Sequence, residues 1–356
     1  MATITLGGAA NWSTCNSGSP PAAGDSVNLG NYVLTLDAAT CTCVSIYTAG
    51  SGYLLPSICT ALNADLSAGT HVLLETTTQS VTITGTVTPG TGAAHGAYHH
   101  GSGTCRITDV TAGVSTTSYG LYLGYGVAYV TNVTGGSTYK AYAVYMTGAS
   151  SHLHAVNITG GSATSTYGLF MTSSSYLTAT NVVGGSGIIS YGIYVNSHQG
   201  FAVTNLTGGS GRQAHGCWFS SGSNVAATIT TATGGTGDSA VGIAMNYNVV
   251  NTTTIGTSVA SAKNGGILNW SSNNIVIING TDNTLGNPLG TGTYRIADGN
   301  KIKMQDADGN DKFFYGDSEM PAVIDVRKGI AYGVTDFTGT FSPFQPIGCG
   351  FIRGAL

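Results

Sequence analysis

Apolar residues recur along the middle of the chain in two short phrases that alternate with polar segments. One phrase ends in a glycine pair, which begins at Gly135, Gly160, Gly184, Gly208 and Gly234, at spacings of 25, 24, 24 and 26 residues. The other phrase, such as YGLY at 119–122, repeats with the same period. A period of 20 to 50 residues is typical of repeat proteins, and a propeller blade would need about 40. The pattern therefore predicts a solenoid.

The phrase that contains Tyr-Gly assigns its side chains to two faces of a strand. Strand alternation predicts that the first and third positions after the glycine are buried and that the second position points outward. The buried positions are Leu121, Leu123, Val144, Met146, Leu169, Met171, Ile193, Val195, Cys217, Phe219, Ile243 and Met245. The outward positions form an exposed aromatic stripe made of Tyr98, Tyr122, Tyr145, Phe170, Tyr194 and Trp218. Self-stacking, a subunit or capsid contact, and glycan stacking are three explanations for this stripe.

The phrase that precedes the glycine pair contains an asparagine at which strict alternation fails. Apolar residues lie two positions before and one position after this asparagine, so we expect the chain to bend there. Asparagine tolerates the left-handed or bridging backbone and can hydrogen-bond to its copies in neighbouring coils. The sequence therefore predicts an asparagine ladder made of Asn132, Asn157, Asn181 and Asn205.

Composition indicates which kind of solenoid the chain forms. With 54 glycines and few strong helix formers, the chain favours short strands and tight turns. The repeat resembles right-handed parallel β-helices, whose coils turn at stacked asparagines; the handedness follows from the general preference for right-handed crossovers. We predict an all-β, single-stranded right-handed parallel β-helix of coils of about 24 residues. We expect an N-terminal cap and the first strands in residues 1–40, the β-helix in 41–290, and a small C-terminal β-hairpin domain in 291–356.

The C-terminal segment differs from the repeats in charge. Seven of the eleven lysines and arginines follow Gly290. The segment ADGNKIKMQDADGND contains two Asp-Gly-Asn turns, which we interpret as hairpins, because a calcium loop would need a closing glutamate and flanking helices. We expect this domain to dock or oligomerise through Asp325, Arg327, Tyr332, Phe337 and Phe341.

The stretch around DVRKGIAYGVTDFTGT, at residues 325–340, resembles over about twenty residues an element found near the ends of bacteriophage virion structural proteins. The resemblance implies a non-enzymatic decoration, fibre or spike subunit on the capsid or tail. Its expected partners are two further copies of the chain in a homotrimer, other virion proteins and a host surface glycan. The alternatives are a bacterial surface adhesin and a β-helix that binds or cleaves glycans.

Charge and targeting signals restrict the partners and the location. With 11 basic and 15 acidic residues, the chain lacks the basic surface that nucleic acid binding requires. No basic segment followed by an apolar one opens the chain, and no run of 18 apolar residues occurs, so we expect neither membrane insertion nor a signal peptide. These observations fit a virion protein that is assembled in the host cytoplasm.

Candidate catalytic residues are scarce in the repeats. Between residues 81 and 280 the only acidic residues are Asp109, which takes the asparagine-ladder position of its coil, and Asp238. They lie roughly 25 Å apart at about 4.8 Å per coil, so within one subunit they cannot form the carboxylate pair of a glycosidase; only a pair between two subunits of an oligomer stays open. We therefore expect no enzyme activity.

Histidines and cysteines are the other reactive residues. His95 and His215 replace the tyrosine that precedes glycine in other copies, and we expect His99, His100, His152 and His154 to decorate a polar face. Histidines on one face could hold a metal, but we predict neither a metal nor a cofactor. The seven cysteines are interpreted as buried thiols.

Overall fold

A computed structural model describes residues 2–48, 50, 52–67, 72–73, 80–88, 95–173, 175–196, 200–221, 225–237 and 240–245. Beyond residue 245 it describes the backbone of eight further strands. Almost every described segment is a strand or a turn between strands, and the chain passes alternately through two sheets. The predicted parallel β-helix is confirmed.

The two sheets run along the whole described rod and are called sheet A and sheet B. Sheet A has fifteen strands: Thr3–Thr5, Ser26–Asn28, Thr40–Tyr47, Ala61–Ser67, Val81–Thr88, Thr104–Thr111, Val127–Thr134, His152–Thr159, Tyr176–Val183, Gly200–Thr207, Val225–Thr233, Asn251–Ala260, Ile275–Ile278, Thr293–Ile296 and Asp336–Thr338. Sheet B has twelve: Ala10–Asn11, Val33–Leu36, Tyr53–Pro56, Val72–Leu73, His95–His99, Thr117–Leu123, Lys140–Met146, Ser165–Met171, Ile189–Asn196, Cys217–Ser221, Ile243–Met245 and Ile267–Asn269. From Thr3–Thr5 to Ile267–Asn269 the chain alternates between the two sheets, and each coil contributes one strand to each.

Equivalent residues of successive coils lie directly beside each other. In sheet A, Val130 pairs with Ala155, and Ala155 pairs with Ala179. In sheet B, Leu121 pairs with Val144, and the same column continues through the later coils. Because the pairing is parallel and in register, the side chains form columns that run along the rod.

The space between the two sheets is the hydrophobic core. All the predicted inward positions from Leu121 to Ile243 are buried, as strand alternation predicts. The side chain of Met245 lies outside the described residues. Phe219 is among the largest fully buried side chains of the described core.

The corners between the sheets depend on the glycine pairs. A Cβ atom on Gly161 would overlap the backbone carbonyl oxygen of Gly136 in the preceding coil. The amide of Gly135 donates to the carbonyl oxygen of Thr159 at 2.8 Å, so the polar backbone of the corner is paired between coils. Only glycine allows neighbouring coils to approach this closely.

The first forty residues belong to the same two sheets as the repeats. Trp12, in the three-residue 3-10 helix Trp12–Thr14, is buried against the end of the core. Asp25 accepts a hydrogen bond from the backbone amide of Ala2 at 2.9 Å, and this bond and a second one from Ala22 lower the pKa of its carboxyl group. In the part of the chain that the structure describes, no helix is long and apolar enough to cross a membrane.

Strands near the C-terminus support one of the two predicted hairpins. Lys301–Gln305 pairs antiparallel with Asp311–Tyr315 across the second Asp-Gly-Asn turn. The first such turn, at 298–300, connects strands of different sheets, so the hairpin predicted there is wrong. Thr293–Ile296 instead pairs antiparallel with Asp336–Thr338.

Asp325, Arg327, Tyr332 and Phe341 lie outside the described residues. The backbone of Phe337 lies opposite Tyr294 in sheet A, and its side chain is outside the described set. The docking role of this segment therefore stays a prediction.

Candidate functional site

The predicted aromatic stripe is a column of rings on the outside of sheet B, in which several neighbouring rings stack. Tyr98 stacks on Tyr122 with ring centroids 4.6 Å apart and planes at 11°. Phe170 stacks on Tyr194 at 4.6 Å and 4°, because parallel pairing places successive rings at the spacing of the coils. The six rings are half-buried, so the expectation of an exposed stripe is corrected: neighbouring rings cover part of each surface.

A second aromatic column lies beside the stripe, and the sequence analysis did not identify it as a column. It consists of the residues that precede the glycine or alanine of each phrase: His95, Tyr119, Tyr142, Tyr167, Tyr191 and His215. Tyr142 stacks on Tyr167 at 4.8 Å and 10°, and Tyr191 stacks on His215 at 5.1 Å and 19°. The recurrence of a ring before the glycine was the signal that could have revealed this column.

Contacts between the two columns join them into one layer, here called the aromatic band. The rings of Tyr142 and Phe170 meet edge to face, with centroids 5.3 Å apart and planes at 86°. Tyr167 meets Phe170 in the same way at 5.4 Å and 88°. Edge-to-face and offset arrangements are the favourable geometries for aromatic pairs. Because ring faces within the band contact other rings, the geometry favours self-stabilisation over the stacking of a sugar on these faces.

Burial disfavours charge on six side chains of the aromatic band. Desolvation by burial raises the pKa of five of its hydroxyl groups, those of Tyr119, Tyr142, Tyr145, Tyr167 and Tyr191. Burial also lowers the pKa of His215 to about 4, so this imidazole is neutral at pH 7. The band therefore exposes apolar area and ring edges to solvent, and such a surface is suited to packing contacts.

The asparagine ladder is present on the outside of sheet A. The amide nitrogen of Asn157 donates to the amide oxygen of Asn132 at 2.8 Å, and Asn181 and Asn205 repeat this bond, each at 2.8 Å. Asn132 in turn donates to a carboxylate oxygen of Asp109 at 2.6 Å. The predicted position of Asp109 in this column is confirmed, and its carboxylate ends the ladder as the last acceptor.

Of the two backbone conformations predicted for the ladder, left-handed and bridging, the left-handed one does not occur. Among the described residues other than glycine, only Ser17 and Ser150 have positive φ. The chain bends within a strand, where Thr131 and Asn132 both point away from the core. The ladder therefore needs no left-handed backbone.

The histidines at residues 95, 99 and 100 point in three different directions. His95 stacks on Tyr119 at 4.8 Å, as expected for a replacement of the tyrosine. His99 does not decorate a polar face: it is fully buried, and its Nε2 atom lies 3.0 Å from the carbonyl oxygen of Gly103. His100 meets a tyrosine of the next coil edge-on at 4.7 Å. In the described part of the chain, no group of three potential metal ligands is close enough to share an ion.

The histidines of the third repeat lie in columns of sheet A. His152 stacks on Tyr176 at 4.8 Å, and His154 stacks on Tyr129 at 4.6 Å. Both imidazoles are half-buried on the outer face, so the prediction of an outer polar face is confirmed for these two residues.

The interpretation as buried thiols is confirmed for five cysteines, whereas Cys15 is half-buried and Cys349 lies outside the described residues. Five of the six described cysteines are buried, and all six are free thiols: Cys15, Cys41, Cys43, Cys59, Cys105 and Cys217. Burial raises the pKa of Cys43 and Cys105 to about 12, so these sulfurs are protonated and unreactive at neutral pH. Their contribution is to the core.

Comparisons of the chain with protein-family models, with curated proteins and with solved structures found no match in any of the three. The class of protein that the geometry itself defines is a two-sheet parallel β-helix with an amide ladder on one outer face and an aromatic band on the other.

Proposed function

We propose that the protein is a non-enzymatic structural subunit of a bacteriophage virion, exposed on the capsid or tail as a decoration, fibre or spike. In this proposal the C-terminal segment attaches or trimerises the chain, and the β-helix projects from the particle. A host surface glycan is a further partner of the projecting part.

The observation that carries the proposal is the continuous registration of two sheets with stacked side chains on both outer faces. Amide hydrogen bonds at 2.8 Å join Asn132, Asn157, Asn181 and Asn205 from coil to coil, and the aromatic band does the same on the opposite side. A rod that is laterally bonded in this way suits a load-bearing, exposed role. The carboxylate of Asp109 takes part in the ladder, which supports a structural role for that acid.

The sequence of the C-terminal segment supports the proposed location on the virion. It holds seven of the eleven basic residues and the element that resembles the ends of phage virion proteins. A charged segment at one end of a charge-poor rod fits attachment to a different surface from the one that the rod presents.

Immunogold electron microscopy of phage particles, purified from a strain that carries this gene, tests the location. Antibodies against the purified chain should label the particles at regular positions on the head or tail. Labelling of the bacterial surface, with none on particles, would favour the adhesin instead. If the purified protein released new reducing ends from host polysaccharide, the proposal that it is not an enzyme would be wrong.

Light scattering of the full-length chain tests the trimer. We expect a mass three times that of the 35.9 kDa chain. Arg327→Gln should lower this mass, because Arg327 lies in the segment that we expect to join the subunits. Arg212→Gln, which changes an exposed arginine on the rod, is the matched control and should leave the mass unchanged.

A further inference from the structure

A shallow groove runs along the outside of sheet A, away from the aromatic band. It lies between two columns of outward side chains, and the buried column of Val130, Ala155 and Ala179 forms its floor. Its volume is about 430 Å³, and it extends from the strand of Thr82 to that of Thr204. Five steps of about 4.8 Å make it roughly 24 Å long. The groove is long, narrow and open to solvent, which suits an extended ligand.

Arg106 is held in position at this groove by stacked rings. Its guanidinium carbon lies 3.9 Å from the centre of the Tyr129 ring, and the opposite face of that ring stacks on His154 at 4.6 Å and 10°. Arg106 makes no hydrogen bond or ion pair with any residue that the structure describes. A planar guanidinium fixed over a ring keeps its N–H donors directed outward in the fork that binds a carboxylate through two hydrogen bonds.

The opposite column presents hydroxyl groups. Thr131, Thr180 and Thr204 are exposed, and their side chains have no hydrogen-bond partner among the described residues. Each hydroxyl can donate one hydrogen bond and accept others. A repeating row of such groups matches a ligand that carries its own repeating hydroxyls.

The charge of the groove comes from Arg106 alone. Desolvation by burial, followed by the nearby charges of His152 and Arg106, lowers the pKa of His154, so this imidazole is neutral at pH 7. No acidic residue lines the groove, and the nearby carboxylate of Asp109 already accepts the amide of Asn132 at 2.6 Å. The groove therefore favours an anionic ligand over a neutral or cationic one.

We propose that this groove binds an acidic saccharide that lies along the rod. A carboxylate of the saccharide pairs with Arg106, and its hydroxyls pair with the threonine row. Tyr129 acts by positioning the guanidinium, because both faces of its ring are already covered. The inference rests on the proposed function, whose host-glycan partner it narrows to an acidic saccharide in this groove; the virion location is tested separately by immunogold labelling.

Calorimetric titration of the full-length protein with a hexameric oligogalacturonate tests the proposal. The fully methyl-esterified hexamer, which has the same hydroxyls without the charge, should bind at least about tenfold more weakly. Arg106→Gln should weaken binding of the charged hexamer by about tenfold or more, whereas Arg212→Gln, at an exposed arginine outside the groove, should change it less than about twofold.

Thr180→Val removes a hydroxyl group from the groove without changing its charge, so it distinguishes binding of a saccharide from attraction of any anion. Val156 already occupies the same column, so the variant should fold with an unchanged thermal midpoint. Binding should weaken about threefold to tenfold through the lost hydroxyl contact. Four results would overturn the proposal: no binding of the charged hexamer, equal binding of its ester, equal losses for the two arginine variants, or binding of inorganic phosphate as tight as that of the hexamer.

Discussion

Sheets A and B break the alternation of their side chains in opposite directions. In sheet A, two successive residues of each coil from Thr104–Thr111 to Gly200–Thr207, such as Thr131 and Asn132, point away from the core. In sheet B, two successive residues, such as Gly120 and Leu121, point into it. A Cβ atom on Gly120 would lie 2.6 Å from a methyl carbon of Val133, so this inward position accepts a very small residue. The glycine thereby leaves Tyr119 on the outer face.

The two outer ladders that result differ in what they tolerate. The amide ladder needs a donor and an acceptor in line at every coil. Its four members, one in each coil from Asn132 to Asn205, are all asparagine. The aromatic band accepts tyrosine, phenylalanine, tryptophan and histidine in its columns. Hydrogen-bonded ladders depend on chemical identity, whereas stacked rings depend mainly on shape and area. The four predictions below test that contrast.

The largest effect is expected between the inner and outer faces of sheet B. Phe219→Ala should lower the free energy of unfolding by about 3–5 kcal/mol, because the side chain is fully buried and its removal leaves a cavity. Tyr122→Ala, on the half-buried outer column, should cost clearly less. Denaturant midpoints that shift equally in the two variants would contradict the assignment of faces.

A second test concerns the histidine at one end of the aromatic band. The pKa of His215 is lowered to about 4 from its usual 6.5, so the unfolded chain binds a proton more readily than the folded one between these values. Stability should therefore fall by up to about 3 kcal/mol as the pH drops from 6.5 to 4.

His215→Tyr places the residue of the preceding coils at this site and should reduce that pH dependence. His99 is also buried, and desolvation lowers its pKa, so part of the pH dependence of stability should remain in the variant. Thermal midpoints measured at pH 7, 5 and 4 provide the comparison, and identical pH profiles for the variant and the natural chain would show that His215 does not titrate as described.

A smaller effect is expected at the amide ladder. Asn157→Val should lower the unfolding free energy by about 2 kcal/mol, because it leaves Asn181 without its acceptor and Asn132 without its donor. Asn205→Val, at the end of the ladder, breaks one bond and should cost about half as much. Chemical denaturation measures both, and a ladder that contributes nothing would give two unchanged curves.

The smallest effect is expected for an exchange within the aromatic band. Phe170→Tyr places in the column the ring that both neighbours already carry, Tyr145 and Tyr194, so the unfolding free energy should change by less than about 0.5 kcal/mol. Asn157→Gln is the parallel conservative change in the amide ladder, and we expect it to cost more because the longer side chain misplaces both hydrogen bonds. If calorimetry finds the reverse order, the contrast between identity and shape does not hold.

The sequence was sufficient to predict the columns that repeat strictly. Positions such as Leu121 and Asn157 recur every coil with the same chemistry, so their faces follow from period and alternation alone. Tyr119 is different. Strict alternation predicts that its side chain points into the core, but Gly120 and Leu121 both point inward, so Tyr119 lies on the outer face.

Features that occur in one or two coils were harder to predict. Arg106 lies in a column whose other members are uncharged at neutral pH, so the repeat gave no signal of its contact with Tyr129. His99 occupies the column of Leu123, where a polar ring is unexpected, and its bond to Gly103 depends on the local turn. Such contacts depend on which particular side chains meet in space, and a periodic pattern contains no information about that.

The strict register between coils also makes the coil a unit of length. Each coil adds about 4.8 Å to the rod, because the strands of successive coils pair in parallel. Duplication or loss of a whole segment of about 24 residues changes how far the tip extends, whereas a change of one or two residues in coil length leaves the columns in place, as the spacings of 24 to 26 residues show. The length of the rod can therefore change by whole coils while the core of the remaining coils stays the same.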